Sequence, residues 1–198
     1  MKLVNVVLAI GRRLAPILIS LAVAGTTVIA AEANLSAAQL IQQANPNPGP
    51  AIGRSAVAFN VQTLDGKAVA LETFRGKPLV LNFFASWCDP CRDEMPLIND
   101  LASAATKEGY NVLGIAVEDT RAAITEFSKE AKLVFPIALD LNNTVKRSYR
   151  IFGPPATFFI DGQGMIRDLV LGPLTRERMR EALAKIGAAP GKILSGQP

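Results

Sequence analysis

Short apolar segments alternate with more polar segments through the central part of the chain. Leu79–Phe84 and Asn111–Val117 are almost continuously apolar, which is typical of strands buried on both faces. A helix is predicted after each of them, over residues 88–107 and over residues 120–132. Further strands are predicted at residues 57–61, 67–71, 137–139, 157–160 and 165–171, and further helices at residues 144–149 and 175–186.

Turn and capping residues separate these segments. Asp65-Gly66 lies between the first two predicted strands and indicates a β-hairpin. Gly109 is placed to end the first long helix, and Pro96 inside that helix is expected to kink it. Thr175 can cap the last helix. Strands that alternate with helices, together with a hairpin, predict an α/β fold with a mixed sheet.

The first 31 residues have a different character from the rest of the chain. Arg12 and Arg13 precede an uncharged stretch that ends in small residues, which is typical of an export signal. A stretch of this length can also just span a bilayer, so residues 1–31 are predicted to be a signal peptide or a retained signal anchor that tethers the chain to the membrane. We therefore expect an exported protein, in the periplasm or at the outer face of the cytoplasmic membrane.

Composition sets the remaining domain boundaries and excludes some partners. Residues 32–55 contain three prolines close together and are predicted to be a linker, before a folded domain at residues 56–188 and a tail at residues 189–198. The formal charge of +4 falls to 18 basic against 17 acidic side chains without residues 1–31, so no nucleic-acid partner is expected. No phosphate-binding loop or dinucleotide fingerprint occurs, and no cofactor is expected.

The two cysteines of the chain lie just after the predicted strand Leu79–Phe84, in the sequence Trp87-Cys88-Asp89-Pro90-Cys91. In a helix that begins near Cys88, residues three positions apart share a face, so the two sulfurs can form a disulfide. The helix N-terminus favours a thiolate, which makes Cys88 the expected attacking thiol and Cys91 the resolving thiol. The spacing predicts a redox-active dithiol.

Other uses of a cysteine pair fit the sequence less well. A structural zinc site needs additional cysteine or histidine ligands, and the chain has no histidine. A purely structural disulfide would contribute little, because the loop that it closes is so short. Two alternative functions remain open: handling of copper, by binding Cu(I) or by reducing the cysteines of a copper site, and a thiol peroxidase activity.

Three motifs are more specific than the cysteine pair alone: LETFRGKP at residues 71–78, NFFASWCDPCRDEMP at residues 82–96 and GPPATFFIDG at residues 153–162. With these motifs the chain resembles the thioredoxin superfamily, and within it the TlpA/ResA-like thiol–disulfide oxidoreductases. The resemblance implies a thioredoxin-like fold with an N-terminal β-hairpin and a strand–helix insertion. It also implies a reductant of disulfides in partner proteins such as apocytochrome c, supplied with electrons by a membrane donor.

The resemblance also implies roles for single residues. Pro155 aligns with a cis-proline that faces the active-site disulfide and presents a backbone edge to an extended substrate segment. Glu94 matches an acidic residue that this group carries after the cysteines. It is expected to exchange protons with the inner cysteine, because Asn82 replaces the buried aspartate of plain thioredoxin. Trp87, Pro154 and Pro155 are predicted to form the substrate-docking surface.

Charged residues near the cysteines predict a reducing centre. Asp89 and Glu94 disfavour a thiolate and Arg92 favours one, and a destabilised thiolate makes the reduced dithiol a better electron donor.

Some residues near the cysteines have a second interpretation. Glu94 would be a solvated carboxylate in the first helical turn, Trp87 would pack in the core, and Glu118 would either approach the disulfide or start the next helix.

Overall fold

The computed structural model describes residues 49–188. The predicted export segment, the first part of the linker and the C-terminal tail lie outside the described residues, and the predictions made for them stay predictions. None of the helices within residues 49–188 is both long enough and apolar enough to cross a membrane.

The strands and helices of this part of the chain follow the predicted order. The strands are β1 (Asn60–Thr63), β2 (Ala68–Ala70), β3 (Leu79–Phe84), β4 (Asn111–Val117), β5 (Ile137–Asp140), β6 (Ala156–Ile160) and β7 (Ile166–Leu171). The α-helices are α1 (Asp89–Glu108), α2 (Arg121–Glu130), α3 (Thr144–Ser148) and α4 (Arg176–Lys185).

All seven strands belong to one mixed sheet, in the order β2-β1-β5-β4-β3-β6-β7. The central strands β3, β4 and β5 are parallel, whereas β6 and β7 are antiparallel to their neighbours on one side. The β1–β2 hairpin pairs with β5 at the other edge, also antiparallel. The predicted α/β fold with a mixed sheet and an N-terminal hairpin is therefore confirmed.

Strand β3 separates two hydrophobic cores. Val80 and Phe84 pack on the side of α1, whereas Leu81 and Phe83 pack on the opposite side of the sheet. Successive side chains of a strand point to opposite faces, so an apolar strand in the middle of a sheet contributes to both cores. Asn82 shares its face with Val80 and Phe84. The one polar side chain of β3 therefore lies in the apolar layer beneath α1.

The hairpin differs from its prediction at both ends. β1 covers Asn60–Thr63 instead of residues 57–61, because the Thr63 N–H donates to the Lys67 carbonyl at 2.9 Å and pairing continues up to the turn. After β2, Leu71–Phe74 form a 3₁₀ helix, so the strand predicted to reach residue 71 ends one residue earlier.

Helix α1 begins and ends as predicted. Cys88 is its N-cap residue, and the Cys91 N–H donates to the Cys88 sulfur at 3.2 Å. Gly109 ends the helix with φ 79°, a left-handed conformation that glycine adopts without a side-chain clash. Pro96 lies inside the helix, which continues to Glu108.

The chain enters the domain beside β7. The Gly53 N–H donates to the Ile166 carbonyl and the Ile166 N–H donates to the Arg54 carbonyl, both at 2.8 Å. Ser55 forms an isolated bridge with Met165. The last residues of the predicted linker are thus hydrogen-bonded to the sheet.

Candidate active site

A disulfide joins Cys88 and Cys91 at the point where β3 leads into α1. The two Cα atoms are 5.2 Å apart, as the i, i+3 spacing of the two residues predicts. Cys88 is 5% exposed and Cys91 is completely buried. The structure therefore places the outer sulfur at the helix N-terminus and the inner sulfur within the core, in the arrangement that the sequence predicts.

Glu94 lies one helical turn after Cys91 on the same buried face of α1, and it is only 4% exposed. One carboxylate oxygen, Oε1, accepts a hydrogen bond from the Asn82 side-chain amide at 2.8 Å. The other, Oε2, accepts one from the Leu174 backbone N–H at 2.7 Å. The interpretation of Glu94 as a solvated carboxylate is wrong, because the fold buries it between α1, β3 and the segment before α4.

Burial raises the pKa of Glu94 above its ordinary value of 4.5. The hydrogen bonds from the Leu174 N–H and the Asn82 amide act in the opposite direction, because they favour the charged carboxylate. The geometry thus supplies a buried acid–base group close to the inner cysteine, held by two donors.

Asn82 is completely buried, and its Nδ2 donates to Thr157 Oγ1 at 3.0 Å as well as to Glu94. Its oxygen, Oδ1, is also buried but finds no hydrogen-bond partner among residues 49–188. A buried acceptor without a partner costs about 1–3 kcal/mol of stability. Asn82 Nδ2 therefore donates two hydrogen bonds, whereas Oδ1 accepts none from the described residues.

The peptide bond between Pro154 and Pro155 is cis, as the resemblance implies. Ala156 pairs with Phe83, so Pro155 lies beside the carboxyl end of β3, where the chain turns into the cysteine segment. The Pro155 carbonyl accepts a hydrogen bond from the Gly172 N–H at 2.9 Å, and neither proline has an N–H to donate. The structure brings Pro155 to the end of the sheet that carries the disulfide.

Trp87 is 56% exposed, so the interpretation of Trp87 as a core residue is wrong. Its indole N–H donates to the Glu118 carbonyl at 2.9 Å, which holds the ring beside the cysteines. The Glu118 carboxylate forms an ion pair with Lys146 at 2.7 Å. Because α2 begins at Arg121 after the N-cap Thr120, Glu118 does not start the helix. Its backbone supports Trp87 instead.

Arg92 is engaged away from the sulfurs. Its guanidinium donates to the Glu130 carboxylate at 2.7 Å and to the Ser86 carbonyl at 3.1 Å, and it lies 4.7 Å from the centre of the Phe127 ring. The described contacts of the guanidinium reach neither cysteine sulfur; Arg92 contacts Cys88 through its backbone N–H, which donates to the Cys88 carbonyl at 3.0 Å. The guanidinium charge is paired with Glu130, and the expectation that Arg92 favours the thiolate stays a prediction.

Three residues of this region were not predicted from the sequence. Leu174 and Thr157 take part through a backbone N–H and a hydroxyl, and no sequence pattern marks either of them as a partner of the Glu94 site. Phe152 is fully exposed two residues before Pro154. The sequence could have indicated the exposure of Phe152, because a large aromatic residue beside Gly153 in a proline-rich loop is not part of a buried strand.

A separate cavity of about 710 Å³ lies between the hairpin, β5 and α3, and none of its lining residues belongs to the site around the disulfide. Within the described range, no three Cys, His, Asp or Glu side chains converge closely enough to hold a metal ion.

Comparison with known proteins identifies relatives that share this architecture. The model of the AhpC/TSA family matches residues 52–169. The thiol-disulfide oxidoreductase ResA of Bacillus thuringiensis subsp. konkukian is 35% identical over 135 residues, which cover 68% of this chain and 78% of that protein.

Solved structures of thiol:disulfide interchange proteins also match the fold of this chain. A putative thiol:disulfide interchange protein DsbE from Chlorobium tepidum has a TM-score of 0.65 at 25% identity, and the match covers 70% of this chain and 100% of the other. A thioredoxin family thiol:disulfide interchange protein from Chlorobium tepidum TLS has a TM-score of 0.61 at 26% identity, with coverages of 70% and 99%. The predicted thioredoxin-like fold is confirmed.

Proposed function

Because this chain belongs to the AhpC/TSA family and is a thiol–disulfide oxidoreductase of the ResA type, we propose that it reduces disulfides in partner proteins outside the cytoplasm, with Cys88 and Cys91 as its reactive pair. One observation carries the proposal: the Cys88–Cys91 disulfide lies at a helix N-terminus, where Cys88 is 5% exposed and Cys91 is completely buried. This asymmetry suits two successive exchange steps.

In the reduced enzyme, the Cys88 thiolate attacks one sulfur of a partner disulfide. The partner S–S bond breaks, a mixed disulfide forms at Cys88, and the second partner sulfur leaves as a thiolate that takes up a proton. Cys91 then attacks the Cys88 sulfur, which restores the enzyme disulfide and releases the first partner sulfur. Two electrons pass from the enzyme dithiol to the partner, and a membrane dithiol donor returns the enzyme to its reduced form.

Glu94 serves the second step as a proton acceptor for Cys91. A thiol must lose its proton to attack, and the nearest turn of α1 places a buried carboxylate beyond Cys91. Its raised pKa brings the proton affinity of Glu94 nearer to that of a thiol, which makes the transfer easier. This role accounts for a carboxylate kept at 4% exposure beneath α1.

Trp87, Pro154 and Pro155 form the docking surface for the partner segment. Trp87 presents an exposed indole next to Cys88, and the two prolines lie at the same end of the sheet. An aromatic ring with one side exposed provides apolar contact area at little cost in side-chain freedom. Fully exposed Phe152 lies close to Pro154 in sequence and extends the apolar character of this end.

We further propose that the dithiol is reducing. Asp89 in the first turn of α1 and buried Glu94 both place negative charge near the sulfurs, while the Arg92 charge is neutralised by Glu130. Negative charge disfavours the thiolate and so favours donation of electrons. Equilibration of the full-length chain with a glutathione redox buffer tests this: a disulfide as oxidising as the strong periplasmic oxidants would contradict it.

The location, the donor and the client follow from the sequence resemblance. Residues 1–31 would direct export, as a cleaved signal peptide or as an anchor, residues 32–55 would link them to the folded domain at residues 56–188, and residues 189–198 would form a tail. Apocytochrome c is the client that we propose, because its paired cysteines must be reduced before haem is attached. The donor would be a membrane protein, since an exported domain of this kind needs an external supply of electrons.

The test uses the reduced full-length chain and an oxidised peptide that contains a Cys-x-x-Cys-His sequence. Wild type should reduce the peptide disulfide stoichiometrically, Cys91→Ser should accumulate the mixed disulfide, and Cys88→Ser should be inactive. Reduction by Cys88→Ser at the wild-type rate would contradict the mechanism. Expression of Cys91→Ser in cells and identification of the captured protein tests the client: capture of other proteins without apocytochrome c would sink that part of the proposal.

A further inference from the structure

Asn82 lies in the layer between β3 and α1, opposite the buried face that carries Cys91 and Glu94. Its Nδ2 donates two hydrogen bonds, to Glu94 Oε1 at 2.8 Å and to Thr157 Oγ1 at 3.0 Å. Its buried Oδ1 accepts no hydrogen bond from any residue that the structure describes. One end of this amide thus orients the acid, and the other end is an acceptor that the oxidised protein leaves unused.

We propose that Asn82 is a positioning residue that links the inner cysteine to the buried acid: Nδ2 holds the Glu94 carboxylate, and Oδ1 accepts a hydrogen bond from the Cys91 thiol once the disulfide is reduced. The inference rests on the proposed function in one respect only, namely that the Cys88–Cys91 disulfide undergoes reduction.

Reduction creates the donor that this acceptor lacks. When a dithiol reduces the disulfide, the S–S bond breaks, two electrons and two protons convert Cys88 and Cys91 to thiols, and the reductant becomes a disulfide. In the oxidised protein the Cys91 sulfur carries no proton. After reduction it carries an S–H group in a fully buried position, where a donor without an acceptor is unfavourable.

The other side-chain acceptors described in this layer each already accept one hydrogen bond. Glu94 Oε1 accepts from Asn82, and Glu94 Oε2 accepts from the Leu174 N–H, a backbone donor that cannot turn away. Thr157 Oγ1 accepts from Asn82. Cys91 precedes Glu94 by one turn on the same face, and Asn82 Oδ1 is the buried side-chain acceptor that lacks a partner among residues 49–188, so it is available to the new thiol.

The arrangement also fixes the direction in which the amide faces. Rotation of the amide by 180° would direct Oδ1 at the Glu94 carboxylate, and two acceptors would then oppose each other. The reduced Cys91 thiol stabilises the present orientation of the amide, because the thiol donates a hydrogen bond to Oδ1 while Nδ2 still donates to Glu94. Asn82 therefore holds the Glu94 carboxylate in place while the Cys91 thiol donates to Oδ1, and the S–H group turns from Oδ1 to Glu94 when Cys91 loses its proton.

The first test compares the Asn82 side-chain ¹³Cγ and ¹⁵Nδ2 NMR signals in the full-length chain, oxidised and after reduction with dithiothreitol. We expect the signals to move on reduction. Among unbridged chains kept in dithiothreitol, Cys91→Ser, which retains a hydroxyl donor, should share the displaced signals of reduced wild type, whereas Cys91→Ala should not. Identical Asn82 signals in reduced wild type and Cys91→Ala would overturn the proposal. This readout needs no protein substrate, so failure of the proposed function with partner proteins would leave it unaffected.

The second test follows the Glu94 ¹³Cδ signal against pH in the oxidised chain. Asn82→Leu removes the donor to Oε1 and should raise the proton affinity of Glu94 on the order of tenfold, seen as a higher titration midpoint. Thr157→Val is the matched control, since it removes the other partner of Nδ2 and leaves the Glu94 contact. An unchanged midpoint in a folded Asn82→Leu chain would contradict the orienting role, and the cysteine variants test the Oδ1 contact without altering Asn82.

Discussion

The Glu94 carboxylate on α1 accepts a hydrogen bond from the backbone N–H of Leu174, 80 residues later in the chain, at 2.7 Å. Leu174 directly precedes Thr175, the N-cap residue of α4. The same carboxylate that lies one turn from the inner cysteine thus connects the helix of the cysteines to the segment that starts the last helix. The ionisation of Glu94 therefore bears on stability as well as on the proposed proton transfer.

Glu94→Gln should change the way in which stability depends on pH. Burial raises the folded-state pKa of Glu94 above its ordinary value of 4.5, so the stability that this group contributes is full below that pH and is lost as pH rises through the folded-state pKa. Glutamine does not ionise. We expect the free energy of unfolding of the variant to increase relative to that of wild type as pH rises from about pH 4 to pH 8. Urea unfolding of the oxidised full-length proteins measures this difference. Parallel curves would contradict the prediction.

The two cysteines should differ in reactivity after reduction. Cys88 is slightly exposed at a helix N-terminus and Cys91 is completely buried, so iodoacetamide should modify Cys88 faster by about tenfold or more. Mass spectrometry of samples quenched over time measures both rates. Cys91→Ser should retain the fast phase, and Cys88→Ser should leave only the slow one. Equal rates in wild type would show that the buried position of Cys91 is not maintained in the reduced enzyme.

Trp87→Ala should impair reactions with protein disulfides much more than reactions with small ones. The exposed indole contributes docking area but no reacting atom, so we expect about a tenfold loss of rate with a protein disulfide and little change with oxidised glutathione. Trp87→Phe is the control, because it keeps a ring and loses only the hydrogen bond to the Glu118 carbonyl. An equal loss with both substrates would instead indicate a disturbed Cys88.

Asp168→Asn should weaken the attachment of α4 to β7. Burial acts to raise the pKa of Asp168, but the hydrogen bond from Lys185, that from the Leu169 N–H and the charges of Arg178 and Lys185 outweigh it, so the pKa lies below 3.8. This contribution is present above pH 3.8 and is lost as pH falls through the folded-state pKa.

Because Arg178 and Lys185 are partly exposed, the expected cost of Asp168→Asn at neutral pH is about 1–3 kcal/mol in the free energy of unfolding. Urea unfolding measures it. Glu181→Gln, which removes only an exposed partner of Arg178, should change stability by less than about 0.5 kcal/mol. A cost for Asp168→Asn that stays constant down to acid pH would argue against the ion pairs as its source.

The sequence was most informative where both faces of a strand are buried. Leu79–Phe84 and Asn111–Val117 were predicted with the boundaries that the structure shows, because a central strand must be apolar throughout. In the edge hairpin, the first strand lies two or three residues later than predicted, and the second strand is one residue shorter at each end. Its first strand, Asn60–Thr63, has only Thr63 buried, so no hydrophobic alternation marks its ends.

The candidate site was predictable in its local part only. The disulfide between Cys88 and Cys91 and the cap at Cys88 follow from spacing along one helix. The burial of Glu94 does not, since it depends on a backbone N–H far along the chain, and backbone donors leave no mark on residue type. For the same reason, a helix-surface charge and a buried acid look alike in the sequence.

Pro154 and Pro155 have a consequence for which disulfides this enzyme accepts. Neither residue has an N–H, and the Pro155 carbonyl is already used by Gly172. A polypeptide segment that docks along this edge, as proposed above, would therefore have to donate its own N–H to the Pro154 carbonyl. A proline in the client at that point has no donor to bring, so it should be rejected even when its cysteines are accessible. If clients dock along this edge as proposed, it would screen them by backbone chemistry, in addition to any selection by the reactivity of their sulfurs.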